Sequence, residues 1–164
     1  MTVFDLLIEY IRQGRIRLDR SRCPQLVAYH DPCNYGRKAR MAFGHGFFEE
    51  PRWILGQCVE RWVDLYPNRM HQTCCGGGGG ALTTGYKEEA LYYGRRKMDQ
   101  IRATGAEIIA VPCHSCHGQL EYIKSHYGMP DLEVKYLWEL VADALIVGAS
   151  PAREGGPTAD TGTR

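Results

Sequence analysis

Five of the seven cysteines in this chain fall into three short segments: Cys33, the adjacent Cys74 and Cys75, and Cys113 with Cys116 in a C-x-x-C spacing. Isolated cysteines usually behave as small buried hydrophobes. These five sit beside glycine, proline or the end of an apolar run, where a loop can carry a thiol to a common point. Adjacent cysteines are awkward disulfide partners, because a bridge requires a specific Cα separation and Cβ direction. Neighbouring thiolates can instead bind different irons of one multinuclear centre. Gly76 to Gly80 follow the pair directly. Such a run lets main chain approach a bulky group closely and can aim N–H donors at sulfur, which tunes iron–sulfur sites. Around Pro112 to His117 a strand is expected to lead into a helix whose first turn carries Cys116. Unpaired N–H groups and the helix dipole favour a thiolate there.

Four chemistries compete for this pattern. Five thiolates could hold an iron–sulfur cluster, one more than the usual four ligands and therefore an unusual cluster. Cys113 and Cys116 could form a thioredoxin-like redox pair, which leaves Cys74 and Cys75 unexplained. Four of the cysteines could bind structural zinc, although the intervals exceed those of common zinc modules. Cys113 to His117 also matches the C-x-x-C-H spacing of covalent haem attachment, which normally follows export. Cys23 and Cys58 stand outside the pattern and read as structural.

The elements that must position these thiols alternate in type. Val3 to Gln13 predicts an amphipathic helix stopped by Gly14, whose apolar face (Val3 to Ile11) is, with the apolar stretch Leu137 to Val147, a candidate docking surface for partner subunits, and residues 15–22 a charged connector. Residues 25–29 predict a strand stopped by His30–Asp31–Pro32, since proline cannot donate to a ladder. Helical spacing of Trp53, Ile54, Cys58, Trp62 and Leu65 predicts one helix from Pro51 to Pro67, with both tryptophans packed on a core. Further helices are predicted at 87–104, with Gly105 as left-handed cap, at 115–127 and at 137–147; strands are predicted at 106–111 and 132–136. The order implies an α/β fold: one domain with a small, largely parallel sheet flanked by helices. Ligands of such folds gather beyond the carboxyl ends of strands, where Cys33 and Cys113 both fall. The boundaries are a domain over 1–148 with a helical lead-in at 1–22, then a disordered Pro/Gly/Thr-rich tail at 149–164.

A net charge of +1 gives no reason to expect a nucleic-acid partner. The longest apolar run near the C-terminus, residues 140–149, is half what a membrane span needs. The N-terminus shows no basic leader or cleavage site, and cysteines without an export signal point to the reducing cytoplasm.

The segments His30–Asp31–Pro32–Cys33, Cys74–Cys75–Gly76 and Pro112–Cys113–His114–Ser115–Cys116 resemble the CCG domain of heterodisulfide-reductase-like (HdrB/HdrD-like) proteins. Over residues 1–148 they look closer still to the C-terminal catalytic half of the DsrK-type iron–sulfur subunit of the membrane complex associated with dissimilatory sulfite reduction. The resemblance implies a noncubane [4Fe–4S] cluster held by Cys33, Cys74, Cys75, Cys113 and Cys116, with Gly76 and Gly77 close to it. It implies an oxidoreductase that reductively cleaves a disulfide or trisulfide on the C-terminal cysteine arm of a DsrC-type sulfur carrier. Electrons would come from a membrane quinol-oxidising cytochrome b-type subunit through a ferredoxin-like relay domain, which places the protein on the cytoplasmic face of the inner membrane. Neither a compact ferredoxin motif nor a second CCG pattern occurs in this sequence, so the electron supply would come from partners. The alternative is a module that only transfers electrons. Sulfur reduction consumes protons, so His30 and His114 are the candidate catalytic acids, with His71 and His117 nearby. Hydrogen bonding to the cluster or the backbone is the plainer role for each. Arg37 and Lys38 could offset thiolate charge or attract a carboxylate, although solvated surface is the commoner fate of such residues.

Overall fold

A computed structural model describes residues 1–148; the expected tail at 149–164 lies outside the described residues. Four parallel strands, β1 (Val27–Tyr29), β2 (Trp62–Asp64), β3 (Ile108–Val111) and β4 (Glu133–Tyr136), lie in the order β2-β1-β3-β4. Register pairs Ala28 with Val63 on one side and with Ile109 on the other, and Ile109 with Val134 beyond it. The chain leaves β1 to build β2 on one side, then returns to place β3 and β4 on the other. Ligand crevices of open α/β sheets form where the strand order reverses in this way, outside the carboxyl ends. Cys33 follows β1 and Cys113 follows β3, so the fold delivers both thiols to the reversal point.

Side chains alternate across the sheet as a two-residue period requires. Val27, Tyr29, Ile108 and Ala110 face helices α1 (Val3–Arg12), α3 (Glu49–Cys58) and α6 (Leu137–Ala144). Ala28, Ile109, Val111 and Val134 face α4 (Lys87–Thr104) and α5 (His114–Lys124), where Met98, Ile101, Leu120 and Ile123 complete a second core. Each fully buried aliphatic side chain in these layers contributes about 1.5–3 kcal/mol relative to an exposed one. Gly105 caps α4 in the left-handed conformation (φ 67°), as its sequence position predicts.

Three expectations need correction. The helix predicted to reach Pro67 stops at Cys58, because Val59 turns extended (φ −130°, ψ 152°) and residues 62–64 pair with β1 as an edge strand. Trp62 and Val63 therefore belong to a strand, although Trp53 and Trp62 both pack on the core as expected. The final helix ends at Ala144, and Leu145 bridges antiparallel to Leu18. The charged connector is thus tied to the domain, with Asp19 N–H bonded to the Ala144 carbonyl (2.7 Å). The apolar faces of α1 and α6, candidate docking surfaces by sequence, are already covered: Phe4, Leu137, Leu140, Val141 and Ala144 are buried, with α1 and α6 both packed on α3.

A buried ion network fixes the exit from β1. Arg52 on α3 forms a two-pronged pair with Asp31 (2.8 and 2.7 Å) and also bonds Asp64 at the end of β2 (2.9 Å). Burial alone would weaken the guanidinium charge, but the two carboxylates outweigh it and hold Arg52 more firmly protonated than usual. Asp31 also accepts the backbone N–H of Arg69 (2.7 Å), a residue held at φ 51°. Three residues after Asp31 the chain enters a π-helical turn at Asn34–Lys38 and then α2 (Ala39–Phe43).

Candidate metal centre

All five pattern cysteines converge at the strand ends. The Cys75 and Cys116 sulfurs approach to 3.4 Å, and electrostatic coupling links Cys33 to Cys74, Cys74 to Cys75 and Cys116 to Cys113. None of the seven cysteines forms a disulfide. A cavity of about 310 Å³ opens on the group, lined by Cys33, Cys75, Cys113 and Cys116 together with Lys38 and His114. A separate groove of about 590 Å³ reaches Cys74 from the far side of the glycine loop, past Arg37, Tyr93 and Arg96.

Local geometry decides which sulfur carries charge. Cys113, rather than Cys116, occupies the N-cap of α5. Hydrogen bonding from the Cys116 thiol, aided by the nearby backbone N–H groups of Cys116 and Ser115, pulls Cys113 down to about 6. The same contact pushes Cys116 far above the ordinary thiol range. Cys74 falls well below that range because Cys33 and Cys75 donate to it, and the Gly76 N–H adds a contact at 3.3 Å. Cys33 rises in turn, chiefly through its bond to Cys74. At Cys75 the lowering contact with Cys116 is outweighed by Cys74 and burial, which leave the thiol up at about 11. Five clustered thiols cannot all ionise against one another. A bound cation removes that conflict, because metal ligation requires thiolates and supplies the opposing charge.

The glycines after the pair serve helix packing. A side chain at Gly76 (φ 92°) would bring Cβ to 2.6 Å from the Ala90 carbonyl and 2.8 Å from the Gly94 nitrogen on α4. One at Gly77 would meet Gln119 Cβ at 2.7 Å on α5. Gly94 reciprocates, leaving room for the Cys75 carbonyl at 3.1 Å from its missing Cβ. Helices α4 and α5 thus clamp the cysteine loop, and Gln119 reaches across to the Ala90 carbonyl (2.8 Å).

The two candidate histidines differ in burial. His30 is buried, with one ring nitrogen and the Cys75 and Cys116 sulfurs all within 4.8 Å of one another. Neither ring nitrogen has a hydrogen-bond partner among the described residues, and burial pushes the ring well below its ordinary pKa, so it stands uncharged. His114 is exposed at the cavity and hydrogen-bonds the Tyr136 hydroxyl. His117 stacks on the same Tyr136 ring (4.2 Å, 7°), and His71 lies exposed in the turn at 69–71. Arg37 donates to the Gln72 carbonyl (2.7 Å) and braces the turn before Cys74, while Lys38 faces the cavity. Cys23 and Cys58 pack in the core against α3 and α6, and burial raises Cys58 to about 12.

Lys97 was not anticipated. It is fully buried on α4, and its Nζ has no hydrogen-bond partner. The clue lay in the helix stripe: Ala90, Gly94, Met98 and Ile101 face inward at helical spacing, and a lysine stands among them. An isolated buried cation costs several kcal/mol, roughly, unless an opposite charge accompanies it. Its amine and the two orphaned nitrogens of His30 fit a site whose sulfurs carry an anionic, thiolate-ligated group.

No helix among the described residues is long and apolar enough to cross a membrane. The chain is 34% identical over 137 residues to a Chromohalobacter salexigens protein described as "probable membrane-anchored ferredoxin"; the match covers 84% of this chain and 19% of that protein. It is 28% identical over 154 residues to an Hdr-like menaquinol oxidoreductase iron-sulfur subunit 2 of Archaeoglobus fulgidus and, at the same identity, to the corresponding iron-sulfur subunit of Archaeoglobus profundus. Each of those matches covers 90% of this chain and 26% of the relative. The chain therefore spans about a fifth to a quarter of the length of these relatives. A family model of the CCG cysteine-rich domain matches residues 27–121, from β1 through the C-x-x-C helix, and includes every one of the five converging thiols. The chain belongs to the CCG cysteine-rich domain family.

Proposed function

We propose that this domain is the catalytic iron–sulfur module of an oxidoreductase, in which Cys33, Cys74, Cys75, Cys113 and Cys116 hold a noncubane [4Fe–4S] cluster. The observation that carries the reading is the convergence of five cysteines from three distant segments, four of them lining one cavity and Cys75 approaching Cys116 to 3.4 Å. A thioredoxin-like pair needs two of these sulfurs and a zinc site four. The relatives named as iron-sulfur subunits and as a ferredoxin support the same choice of metal.

The substrate is a disulfide or trisulfide on the C-terminal cysteines of a DsrC-type sulfur carrier. Cleaving a disulfide consumes two electrons and two protons and yields two thiols. The cluster, when bound, supplies the electrons singly. Lys38 places a cation at the cavity for a carboxylate-bearing arm, and His114, oriented by Tyr136, hands a proton to a departing sulfur. His30, buried behind the sulfurs, instead hydrogen-bonds the bound group from within. Electrons arrive through a ferredoxin-like relay from a quinol-oxidising cytochrome b-type membrane subunit, which holds the domain peripherally at the cytoplasmic face.

Anaerobically prepared protein tests this directly. It should be brown, with iron and sulfide near about four each per chain, and Cys75→Ser should abolish both. Zinc without sulfide would overturn the reading. A carrier peptide bearing the disulfide should perturb the EPR signal of the oxidised protein. The ferredoxin-named relative supports a second reading, electron transfer alone, under which that signal stays unchanged.

A further inference from the structure

The back of the thiol group, away from both cavities, is built around a lysine with nothing to bind. Lys97 is completely shielded from solvent, so its four-carbon stem cannot carry the amine to water. Among the described residues no carboxylate lies within ion-pair distance of Nζ, and no carbonyl or hydroxyl accepts from it. It follows Gly94 by one turn on the buried face of α4, the face that leaves room for the Cys75 carbonyl and packs with Cys75 and Cys116; the charges that reach it are those of Cys75, Asp31, Cys116 and Cys74. Asp31 is already neutralised by its two-pronged bond to Arg52, and His30 is uncharged. What remains is three sulfurs. Lys97 lines neither cavity, so it does not meet an incoming substrate.

We propose that Lys97 is the charge partner of the cysteine centre: from the inner face of α4 its ammonium opposes the negative charge of the sulfurs around Cys74, Cys75 and Cys116 and sets the reduction potential of the cluster they hold. This rests on the iron–sulfur reading above. Reduction adds negative charge to a group already surrounded by thiolates. A fixed cation in a site shielded from water stabilises the reduced form more than the oxidised form, since Coulomb attraction grows with the charge it opposes. The consequence is a higher potential and an easier first electron from the donor. The geometry makes Lys97 a positioning residue acting through the cluster. Arginine keeps the charge, whereas methionine keeps the apolar stem and removes it.

The experiment compares wild-type, Lys97→Met and Lys97→Arg full-length chains, reconstituted anaerobically with iron and sulfide. Iron and sulfide content, circular dichroism and EPR-monitored redox titration are read for each. Lys97→Met is expected to shift the midpoint potential downward, and Lys97→Arg to restore most of it. Failure to load iron in a folded Lys97→Met, with normal loading in Lys97→Arg, supports the same charge requirement. Equal loading and equal potential in all three overturn the proposal. A wild-type chain that takes up no iron and sulfide would sink the iron–sulfur reading instead, and metal analysis tells the two failures apart.

Discussion

Replacing Arg52 by methionine should loosen the whole cysteine centre from a distance. The Arg52 and Asp31 side chains are 4% and 2% exposed, so water cannot replace what the substitution removes. Asp31 would lose both prongs at 2.8 and 2.7 Å and keep the Arg69 N–H as its remaining bond from this network. Breaking a buried pair by removing one member costs about 3–5 kcal/mol, because the other charge is stranded. For a domain of this size that is a fall of roughly 6–20 °C in melting temperature. Asp31→Asn in the same chain removes the stranded charge and should recover part of the loss, a coupling of about 1–3 kcal/mol in a double-mutant cycle. Asp31 stands two residues before Cys33, so iron incorporation should fall in Arg52→Met and rise again in the double variant. The assay is urea and thermal denaturation of the metal-free protein, with iron content after reconstitution. A loss within about 0.5 kcal/mol, as for an inert surface change, would refute the claim that this network anchors the centre.

Other outcomes follow from single residues. Gly76→Ala combines a positive φ with a Cβ at 2.6 Å from a helix carbonyl, so denaturation should show a loss of about 2–5 kcal/mol and metal analysis a drop in iron; unchanged stability would mean that α4 does not clamp the loop. In metal-free protein Cys113, pulled down to about 6, becomes a thiolate as pH rises through that value. Its alkylation, mapped by peptide mass spectrometry, should rise with a midpoint near pH 6, while buried Cys58, up at about 12, stays inert across the same range. A midpoint near the ordinary thiol value would contradict the hydrogen bonding described for the C-x-x-C pair. His114→Ala should lower turnover of a disulfide substrate about 10²-fold or more, as for loss of a general acid, with iron content and potential intact; equal turnover would remove His114 from proton delivery.

Much of this molecule was legible in its sequence because the signals were local. Gly105 ends α4 where a left-handed cap is needed, and the runs at 108–111 and 133–136 pair as strands. The five cysteines identified themselves by type and spacing, since few other chemistries use adjacent thiols. Where the sequence misled, two periodicities overlapped. Trp62 and Leu65 continue the spacing of α3, yet an edge position beside β1 draws Trp62 and Val63 into the sheet. The apolar face of α6 resembled a docking surface because its partner, α3, lies some eighty residues earlier in the chain.

Residue types and intervals determined that this chain is an α/β domain with a sulfur-rich centre at its strand ends. Tertiary structure alone decided which sulfur touches which, that Cys113 rather than Cys116 is acidified, and that Gly76 and Gly77 yield space to helices. It also decided that Lys97, indistinguishable in sequence from a solvated surface lysine, is shut in behind the thiols. The physical reason is that burial and charge–charge distance belong to the packed chain: no interval along the backbone encodes how near an amine on α4 comes to sulfurs carried by the loop before that helix and by α5 after it.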